Sequence, residues 1–484
     1  MNEKTEFNAE HEQPNSVWKH FVRLSEIPRC SKNEKRAVEY VKSIAETYGH
    51  SVCQDSAGNL LVRISSTDSF KDSPSVCLQS HLDMVCEKNS DAEHDFSKDP
   101  LKLYKQDGML YAEGTTLGAD NGIGAAMMIA LCESSEIKHP ELELLFTVDE
   151  EAGMSGAFAL QSDFIQSKRL INLDTEEEGC ICIGCSGGLE TELNFPVTGM
   201  QPGPEFLPYR IEVKNLRGGH SGINIHLKRA NAVKILARCL NRLQKSQEVY
   251  LSEINGGRAR NAIPREASCI IFLKDPGIAE KILNEEIPFI EQEFTEEENI
   301  KINFQQETAN THFNREQTDN LFEFLDRLPC GVVSMSADLP GLVETSTNPG
   351  IIQTVEHQVT VGCLTRSSQK KYQRSVTKII TDLGDSLGFQ SKVFGEYPPW
   401  PYNLNSKLLK DVVAILKNKC NLDIKTVAVH AGLETGILGE TFSGMDMISL
   451  GPDIFFPHSP REHVSIESVD RVWKQLQAIL ENLQ

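Results

Sequence analysis

The sequence predicts an α/β protein in which a mixed, mostly parallel sheet flanked by helices is interrupted by an inserted α+β domain. Strand-like runs alternate with helical segments in the first third of the chain and again near its end, which is typical of a parallel sheet. Pro- and Gly-rich stretches at 196–204 and 397–401 bound a segment of different character. We therefore predict a discontinuous domain, 1–189 and 397–484, and an inserted domain, 190–396.

The elements of the N-terminal part follow from periodicity and turn signals. Ser31 and Glu34 have the spacing of a capping box, and apolar residues behind them repeat at helical spacing. This predicts an amphipathic helix over 31–48. Short apolar runs bounded by turn residues predict strands, and longer periodic stretches predict helices. Further strands are expected at 51–54, 60–64, 75–80, 142–148 and 170–173, and further helices near 122–134 and 154–166.

The insert and the C-terminal part show the same kinds of signal. A strand followed by a helix occurs twice in the insert, which suggests an internally duplicated α+β domain. The first pattern returns after the insert. In the insert, strands are expected at 211–216 and 355–364 and helices near 229–244 and 369–387; after it, helices are expected at 406–419 and 466–482 and strands at 426–429 and 447–450.

Composition limits the class of protein. A chain of 484 residues exceeds what one core usually supports, which agrees with two domains. The formal net charge of −21 argues against a nucleic-acid or anionic-membrane partner, because phosphate repels it. The most apolar helical stretch has about ten residues, against about 20 for a membrane span, and the acidic N-terminus has no signal-peptide pattern. Thirteen cysteines without a paired framework indicate a reducing compartment, so we expect a cytoplasmic protein.

Acidic and histidine residues stand where the predicted elements begin or end. The carboxyl ends of parallel strands meet at one edge of a sheet, where functional sites gather. Carboxylate oxygens and imidazole nitrogens are the ligands that a two-metal hydrolytic centre requires. The sequence therefore predicts such a centre in the discontinuous domain. The residues concerned are His81, Asp83, Asp120, Glu150, Glu151, Asp174 and His458.

A two-metal centre needs one carboxylate that bridges both ions and terminal ligands on each. Asp120 is the candidate bridge, because the Asn-Gly pair that follows it allows a sharp bend of the backbone. His81 and Asp174 would complete one ion. Glu151 and His458 would complete the other.

The same centre needs a base and a means of orienting its ligands. Glu150 is adjacent to a ligand without being one, so it can deprotonate the attacking water. Asp83 lies two residues after His81, and in an extended segment such residues share a face. Asp83 can therefore orient the imidazole.

Seven motifs resemble those of the aminoacyl-histidine dipeptidases, also called Xaa-His dipeptidases or cytosol non-specific dipeptidases. These are cytosolic dizinc peptidases related to carnosinases and to peptidase T. The motifs follow in order over nearly the whole chain and are specific to the subfamily. They are QSHLDMV at 79–85, TTLGADNGIG at 115–124, DEEAGM at 149–154, NLDTEEEG at 172–179, GGHSG at 218–222, RNAIPRE at 260–266 and PHSP at 457–460.

The resemblance implies a zinc-peptidase-like fold and a metal-dependent hydrolysis of dipeptides, Xaa-His and others. It implies a water activated between two Zn²⁺ ions per subunit, with Mn²⁺ or Co²⁺ as possible replacements, and with Glu150 as general base. It carries over the same five metal ligands and the same catalytic pair, Asp83 and Glu150. It also implies a cis peptide bond between Asp120 and Asn121.

The resemblance also assigns a role to the insert. The insert would be a lid that forms a homodimer, and His220 would reach into the active site of the partner subunit. Arg366 and Gly432 would lie near the free carboxylate of a small peptide substrate. The substrate-binding residues that it implies are His220, Asn261, Arg366 and Gly432.

The chain departs from the family at one motif. The family usually reads His-Ser-Pro-Asp-Glu, whereas this chain reads His-Ser-Pro-Arg-Glu at 458–462, followed by His463. Arg461 thus replaces an acid. His458 keeps its motif position and stays the expected ligand, while the replacement could change the charge around that metal.

Other readings stay open at this point. Ser186 within 184–188 matches the G-x-S-x-G elbow of serine hydrolases, although the segment after it alternates like a strand. Cys180, Cys182 and Cys185 could be thiolate ligands, although a structural zinc site wants four. A related dizinc tripeptidase, an N-acyl amino acid deacylase and a non-catalytic binding protein on the same scaffold are the remaining alternatives.

Overall fold

The structure, a computed structural model, describes residues 4–297 and 299–484. The helices are α1 (Asn15–Ser25), α2 (Lys35–Thr47), α3 (Ala119–Glu133), α4 (Glu150–Gly153), α5 (Ser155–Ala159), α6 (Ala232–Ser246), α7 (Pro276–Glu293), α8 (Arg315–Arg327), α9 (Lys370–Ser386), α10 (Lys407–Cys420), α11 (Glu434–Thr441) and α12 (Ile466–Leu480). Short 3₁₀ turns occupy Ala9–His11, Asp68–Phe70 and Ile225–Leu227.

The strands of the first half are β1 (Thr5–Glu6), β2 (Ser51–Gln54), β3 (Leu60–Ile64), β4 (Val76–His81), β5 (Leu103–Gln106), β6 (Met109–Ala112), β7 (Leu142–Thr147), β8 (Arg169–Asn172), β9 (Cys180–Cys185), β10 (Gly187–Pro196), β11 (Gly199–Met200), β12 (Leu207–Lys214) and β13 (Gly219–His220). Those of the second half are β14 (Val249–Gly256), β15 (Ala262–Ile263), β16 (Ala267–Leu273), β17 (Lys301–Gln306), β18 (His312–Phe313), β19 (Gly331–Met335), β20 (Val343–Val355), β21 (Gln358–Ser367), β22 (Gln390–Tyr397), β23 (Lys425–Val429), β24 (Asp446–Ser449), β25 (Ile454–Phe455) and β26 (His463–Ser465).

The chain divides into two compact units. Unit 1 comprises Met1–Gly184, Tyr402–Ala428 and Leu433–Gln484, and unit 2 comprises Cys185–Pro401 and Val429–Gly432. The short return of the chain to unit 2 at Val429–Gly432 has no counterpart in the expected boundaries. The roles expected for the two domains, catalysis and lid, stay predictions.

The main sheet of unit 1 has the strand order β2-β3-β7-β4-β8-β24-β9-β23. β7, β4, β8 and β24 are parallel neighbours at its centre. β3 pairs antiparallel with β7, β2 with β3, and β9 with β24. The central strands are continuous apolar runs because both of their faces are buried. The expected α/β class with a mixed sheet is confirmed.

Helix α3 lies at the centre of the unit 1 core. It packs on β4, and α1 and α2 pack on it in turn. Its residues from Gly122 to Cys132 are all buried, which agrees with a sequence that is apolar on every side. The peptide between Asp120 and Asn121 at its start is cis, so that expectation is confirmed.

The helix expected over 31–48 begins at Lys35, and the prediction of a capping box is wrong. Glu34 precedes α2 but makes no side-chain cap. Ser31 Oγ instead donates to Asp83 Oδ2 at 2.7 Å. Glu34 Oε1 accepts from the backbone N–H of Asp149 at 3.0 Å. Glu34 Oε1 also accepts from the nearby backbone N–H of Lys32 at 2.7 Å. Both side chains therefore reach a distant segment of unit 1, and neither caps the helix.

The helix expected near 154–166 is also wrong. Within that range there is only the short helix α5, which ends at Ala159, and a separate short helix, α4, precedes it. Met154 between them adopts a left-handed conformation with φ of 55°, which interrupts a continuous helix. The short helix α4 thus begins just after β7 and places Glu150 and Glu151 near the end of that strand.

Unit 2 is built on a nine-stranded antiparallel sheet. Eight strands have the order β17-β12-β16-β14-β20-β21-β10-β22, and β19 pairs with β20. β14 meets β20 through only two residue pairs, so the sheet consists of a four-stranded part that ends at β14 and a five-stranded part that begins at β20 and includes β19. Apolar residues of α6, α7, α8 and α9 form one core with this sheet.

One cysteine pair contradicts the expectation of unpaired cysteines. Cys30 and Cys86 form a disulfide with a Cα–Cα distance of 5.7 Å. No sequence pattern pairs these two residues, which are 56 positions apart. Separately, no helix in the described ranges is both long and apolar enough to cross a membrane.

Candidate metal centre

Three of the predicted ligand positions come from adjacent parallel strands. β4 ends at His81, β7 runs into Glu150 and Glu151, and β8 is followed by Asp174 after one residue. Because β7, β4 and β8 are neighbours and parallel, their carboxyl ends lie at the same edge of the sheet.

The other two positions come from irregular backbone. Asp120 and its neighbour Asn121 have non-helical φ and ψ at the start of α3. His458 follows β25 and has a left-handed φ of 59°. Both residues therefore lie on turns rather than within a regular element.

Two groups of side chains share Asp120. His81 Nε2 lies 3.2 Å from Asp120 Oδ1 and 3.3 Å from Asp174 Oδ1. His458 Nε2 lies 3.1 Å from Asp120 Oδ2 and 3.1 Å from Glu151 Oε2. Each oxygen of Asp120 thus faces a different histidine. Within each group the possible ligand atoms lie within 4.8 Å of one another.

Asp83 is buried and accepts hydrogen bonds on both oxygens. The backbone N–H groups of Glu150 and Glu151 donate to it at 3.0 Å each, and Ser31 Oγ donates at 2.7 Å. His81 Nδ1 lies 3.2 Å from the backbone carbonyl oxygen of Asp83 and 3.3 Å from its Oδ1, and both are acceptors. The ring proton therefore belongs on Nδ1, which leaves the Nε2 lone pair facing the ligand carboxylates. Burial alone would raise the pKa of Asp83, but His81 and the other donors lower it to about 2.

Glu150 lies beside the same imidazole. His81, Glu150 and Glu151 form a third group whose possible ligand atoms lie within 4.8 Å of one another. Burial raises the pKa of Glu150 well above its ordinary value, and Asp174 and Glu151 add to this although His81 opposes it. A carboxylate with a raised pKa is suited to accept and return a proton.

The electrostatics of the cluster favour bound cations. Burial opposes charge on Asp120, yet His458 and His81 hold the pKa of that carboxyl below its usual range. Burial also opposes charge on His458, but its bonds to Asp120 and Glu151 raise its pKa to about 11. Burial and the charge of Asp120 raise the pKa of Glu176 to about 9. Carboxylates thus outnumber the nearby cationic groups.

The donor set fits a pair of divalent ions. Each group that contains Asp120 combines one imidazole nitrogen with two carboxylates, which are ligands that Zn²⁺ and related ions accept. One carboxylate shared between both groups is the arrangement of two co-catalytic ions. Positive charge from the ions would also offset the excess of buried carboxylates.

A buried polar network ties the ligand-bearing strands together. Glu434 Oε2 accepts from Gln79 Nε2 at 2.7 Å and from Thr147 Oγ1 at 2.6 Å. Asn172 Nδ2 donates to Gln79 Oε1 at 2.6 Å. Thr147, Gln79 and Asn172 belong to β7, β4 and β8, so the network fixes the relative positions of these strands. Burial raises the pKa of Glu434 to about 8.

Sequence reasoning missed several residues of unit 1. Arg29 and Glu462 are 1% and 2% exposed and lie beside the Asp120 turn. Glu462 belongs to the His-Ser-Pro-Arg-Glu motif, which was an available signal for it. Arg29 and Glu434 had no such signal, because nothing in their local pattern distinguishes a buried charge from a surface charge.

Arg461, which replaces the acid usual in the family, contacts an aromatic ring rather than the candidate metal ligands. The guanidinium of Arg461 lies over the ring of Phe456, 4.6 Å from its centroid. His463 stacks on Tyr111 and Phe455 with ring centroids 4.7 and 5.0 Å apart. Neither residue belongs to any of the possible metal-binding groups found among the described residues.

In unit 2, His220 and Arg366 lie in one cluster. Arg366 Nη1 donates to Tyr397 Oη at 2.6 Å, and Arg366 Nη2 lies 3.3 Å from His220 Nε2. His220 Nδ1 accepts from the backbone N–H groups of Gly222 and Ile223 at 3.2 and 3.0 Å. The ring proton of neutral His220 therefore belongs on Nε2. Two N–H donors then point toward the same region, which is the chemistry of an anion site.

Arg366 is a buried cation that lacks an anionic partner. It is only 4% exposed, and no carboxylate of the described residues forms an ion pair with it. Its Nε also has no hydrogen-bond partner. Burying an unpaired charge is costly, so a bound carboxylate would stabilise this arrangement.

The remaining predicted residues of unit 2 flank this cluster. A Cβ at Gly432 would lie 2.8 Å from the ring of Tyr397, so glycine allows the close approach. His430 Nε2 lies 2.7 Å from Ser346 Oγ. Asn261 is exposed, and its backbone carbonyl accepts from Ser221 N–H at 2.8 Å. The structure thus joins Gly432 to Arg366 through Tyr397, and it joins Asn261 to His220 only through the backbone.

Two alternative readings lose their support. Ser186 is buried, and β10 follows it where a nucleophile elbow requires a helix. Cys180, Cys182 and Cys185 belong to the buried strand β9, and none is part of a possible metal-binding group in the described ranges.

The fold and the paired histidine–carboxylate groups define a metallopeptidase class. Residues 77–482 match the peptidase family M20/M25/M40, and the chain belongs to it. It is 36% identical over 474 residues to the cytosol non-specific dipeptidase of Escherichia coli strain K12, covering 97% of this chain and 98% of that one. The aminoacylhistidine dipeptidase of Vibrio alginolyticus has a similar structure, with a TM-score of 0.88, 35% identity and 98% coverage of both chains. A tripeptidase from Staphylococcus aureus shares the fold, with a TM-score of 0.57, 18% identity and 99% coverage of both chains.

Proposed function

We propose that the protein hydrolyses dipeptides, Xaa-His and others, with two divalent metal ions, most simply Zn²⁺. One ion would be held by His81, Asp120 and Asp174 and the other by Asp120, Glu151 and His458. The observation that carries this is the placement of the two Asp120 oxygens against different histidines. The names of the two relatives that match nearly the whole chain, both dipeptidases, support the substrate class.

The residues of unit 1 divide the chemistry of peptide hydrolysis. When bound, the ions would supply Lewis acidity to the scissile carbonyl and to the attacking water. Glu150 takes the proton from that water and returns it to the leaving amine nitrogen. Asp83 holds His81 in the correct tautomer and also holds the turn that carries Glu150, because it accepts from the backbone N–H of Glu150.

The residues of unit 2 recognise the substrate. Arg366 binds the free C-terminal carboxylate of the dipeptide, because it is buried without an anionic partner. His220 donates from Nε2 to the oxyanion that forms at the scissile carbonyl, an interaction strongest in the transition state. A substrate without a free carboxylate should bind poorly.

The first experiment tests metal dependence and substrate class together. The protein is stripped of metal with a chelator and reconstituted with Zn²⁺, Mn²⁺ or Co²⁺. The panel contains an Xaa-His dipeptide, its C-terminal amide, a tripeptide and an N-acyl amino acid. We expect metal-dependent cleavage of the dipeptide. Preference for the tripeptide or the acyl amino acid would favour those alternatives, and full activity of the stripped protein would overturn the dimetal proposal.

The second experiment tests the role of Glu150. Glu150→Gln keeps the shape and removes the base, so kcat should fall about 100-fold or more while the metal stays bound. Glu467→Gln is the matched control, since that side chain is 85% exposed. If Glu150→Gln loses metal and keeps its turnover per bound metal, Glu150 is a ligand.

The third experiment concerns the homodimer that we propose for unit 2. His220 and Arg366 lie in one cluster, so both should serve the same active site, whether in their own subunit or in the partner. If they act across the interface, mixing His220→Ala with Glu150→Gln subunits restores one intact site per mixed dimer. Arg366→Ala should complement Glu150→Gln in the same way. No recovery in demonstrated mixed dimers would show that the cluster serves its own subunit.

The location that we propose is the cytoplasm. The support is the name of the Escherichia coli relative, a cytosol non-specific dipeptidase. The disulfide between Cys30 and Cys86 is unusual for a reducing compartment. Fractionation of cells tests the location. Acid quenching of the cells preserves the redox state of the cysteines, so counting free thiols in the quenched protein tests whether the disulfide forms there.

A further inference from the structure

The turn before Asp120 is held by one buried carboxylate. Glu462 Oε2 accepts from the backbone N–H groups of Leu117 and Gly118 at 2.8 and 2.9 Å. Glu462 Oε1 accepts from Ala119 N–H at 2.7 Å and makes a longer contact with Asp120 N–H at 3.4 Å. A single side chain thus receives four consecutive N–H groups, and the last of them belongs to the candidate bridging ligand.

The same turn is held by a buried arginine. Arg29 Nη1 donates to the carbonyls of Leu82 and Asp83 at 3.1 and 3.0 Å, and its Nη2 donates to the carbonyl of Gly118. A Cβ at Gly118 or Gly122 would overlap the guanidinium, so glycine at these positions makes room for it. Arg29 therefore connects the segment that carries Asp83 to the turn that carries Asp120.

The two charges meet at a single residue. Gly118 donates its N–H to Glu462 and accepts from Arg29 through its carbonyl. Glu462 also lies four residues after His458 in a tight segment, where its own N–H bonds to the carbonyl of Ser459 at 2.9 Å. The pair thus links three segments, each of which carries a candidate metal ligand.

We infer that Arg29 and Glu462 are positioning residues that fix the Asp120 carboxylate between its two histidine partners. This inference rests on the proposed two-metal function. Glu462 belongs to none of the possible metal-binding groups of the described residues, and both side chains bond to backbone groups, so each would act through the backbone of the Asp120 turn. The pair should therefore set metal affinity, in the way that partners of metal ligands commonly do. A purely structural role, capping α3 and filling the core, would change folding stability without changing how the ions are held.

The test uses the full-length protein and measures metal binding directly. Glu462→Gln keeps the size of the side chain but replaces one acceptor oxygen with an NH₂ group that faces backbone donors. Equilibrium dialysis with Zn²⁺ measures stoichiometry and affinity, and the visible absorption of the Co²⁺-loaded protein reports ligand geometry. We expect the affinity for the more weakly bound of the two ions to fall about 10- to 100-fold, and the absorption spectrum of the Co²⁺-loaded protein to change. Glu467→Gln, five residues along, is the matched control and should match the wild type.

Arg29→Lys approaches the same turn from the other side. Lysine keeps the charge, but a single ammonium group cannot reproduce the forked contacts of a guanidinium. It should also weaken ion binding at least about tenfold. The thermal unfolding of the metal-free variants separates the two roles, because a positioning role predicts that it changes much less than metal affinity does.

The outcomes also separate this inference from the proposed function. If the wild type binds two ions and both variants bind them with unchanged affinity and spectrum, the inference is wrong and the proposed function stands. If both variants fail to fold, the two charges hold the core rather than the ligands, and the inference is again wrong. A wild type that binds no divalent ion would overturn the proposed function itself.

Discussion

The replacement of Asp83 by asparagine is the sharpest test of how the site is organised. The Asp83 carboxylate accepts from the backbone N–H groups of Glu150 and Glu151 and from Ser31 Oγ. His81 Nδ1 bonds to the backbone carbonyl of Asp83 at 3.2 Å and lies 3.3 Å from its Oδ1. One carboxylate thus orients a ligand, a candidate base and the turn between them. Asparagine has nearly the same shape but only one acceptor oxygen.

The structure sets the size of the expected effect. The two backbone N–H groups bond to different oxygens of Asp83, so asparagine must leave one of them facing its NH₂ group. A hydrogen bond to a charged acceptor contributes about 1.5–3 kcal/mol, and leaving a buried donor unsatisfied costs about 1–3 kcal/mol. We therefore expect a loss of about 3–5 kcal/mol in holding the turn. If this loss falls on the transition state, kcat should drop by a factor of about 10²–10⁴.

Steady-state hydrolysis of a dipeptide, with metal content measured on the same sample, is the assay. We expect Asp83→Asn to lower kcat and to leave KM nearly unchanged, because Asp83 does not belong to the substrate-binding cluster. Ser31→Ala is the graded control. It removes one donor to Asp83 and leaves the backbone bonds in place, so its kcat should fall less than about tenfold.

Two results would refute this reasoning. Asp83→Asn with full metal content and a kcat within about threefold of the wild type would show that the turn needs no charged acceptor. A loss of kcat in Ser31→Ala as large as that in Asp83→Asn would show that the hydroxyl, not the carboxylate, organises the site.

Three further predictions concern other parts of the chain. Tyr397→Phe removes the hydrogen bond to Arg366, so KM for a dipeptide should rise about tenfold while KM for its C-terminal amide stays unchanged; equal shifts for both would contradict the carboxylate role. Reduction of the Cys30–Cys86 bond, which closes a loop of 56 residues, should lower the free energy of unfolding by up to about 4 kcal/mol in denaturant titrations, and an unchanged midpoint would contradict it. Burial, and then the positive charge of Arg366, lower the pKa of His430 to about 3. Below pH 6.5 the unfolded chain then binds a proton that the folded chain does not. The free energy of unfolding therefore decreases as the pH is lowered, by about 2 kcal/mol between pH 7 and pH 5. His430→Asn should reduce that slope, and an unchanged slope would refute the assignment.

The candidate ligands could be predicted because their positions follow from local sequence. The apolar runs of β4, β7 and β8 are short and bounded by polar residues, so their ends were placed to within one residue. His81, Glu151 and Asp174 follow from those ends. A two-metal centre needs one shared carboxylate, so a role for Asp120 in both groups could be expected. Its actual contacts depend on the backbone of a turn that no periodic pattern describes.

The prediction of a capping box failed because a distant hydrogen-bond partner competes with the helix end for the same side chain. Ser31 and Glu34 have the spacing of a capping box, yet Ser31 bonds to Asp83, and Glu34 bonds to the backbone of Asp149 as well as to that of Lys32. A carboxylate and an N–H group fixed by the sheet compete successfully with a helix end that water can satisfy. Sequence spacing cannot reveal that competition, because the distant partner is absent from the window.

The same limit explains why the buried charges were missed, and why they matter. Arg29 and Glu434 look like surface residues in sequence, since charged side chains are rarely buried without partners, and only its motif distinguishes Glu462. Each is buried here because it bonds to segments that carry candidate ligands: Arg29 and Glu462 to the Asp120 turn, and Glu434 to β4 and β7. Removing such groups from water is costly, and the cost is offset only where several hydrogen bonds and opposite charges converge. These buried charged residues are therefore the ones that we expect to fix the geometry of the candidate site.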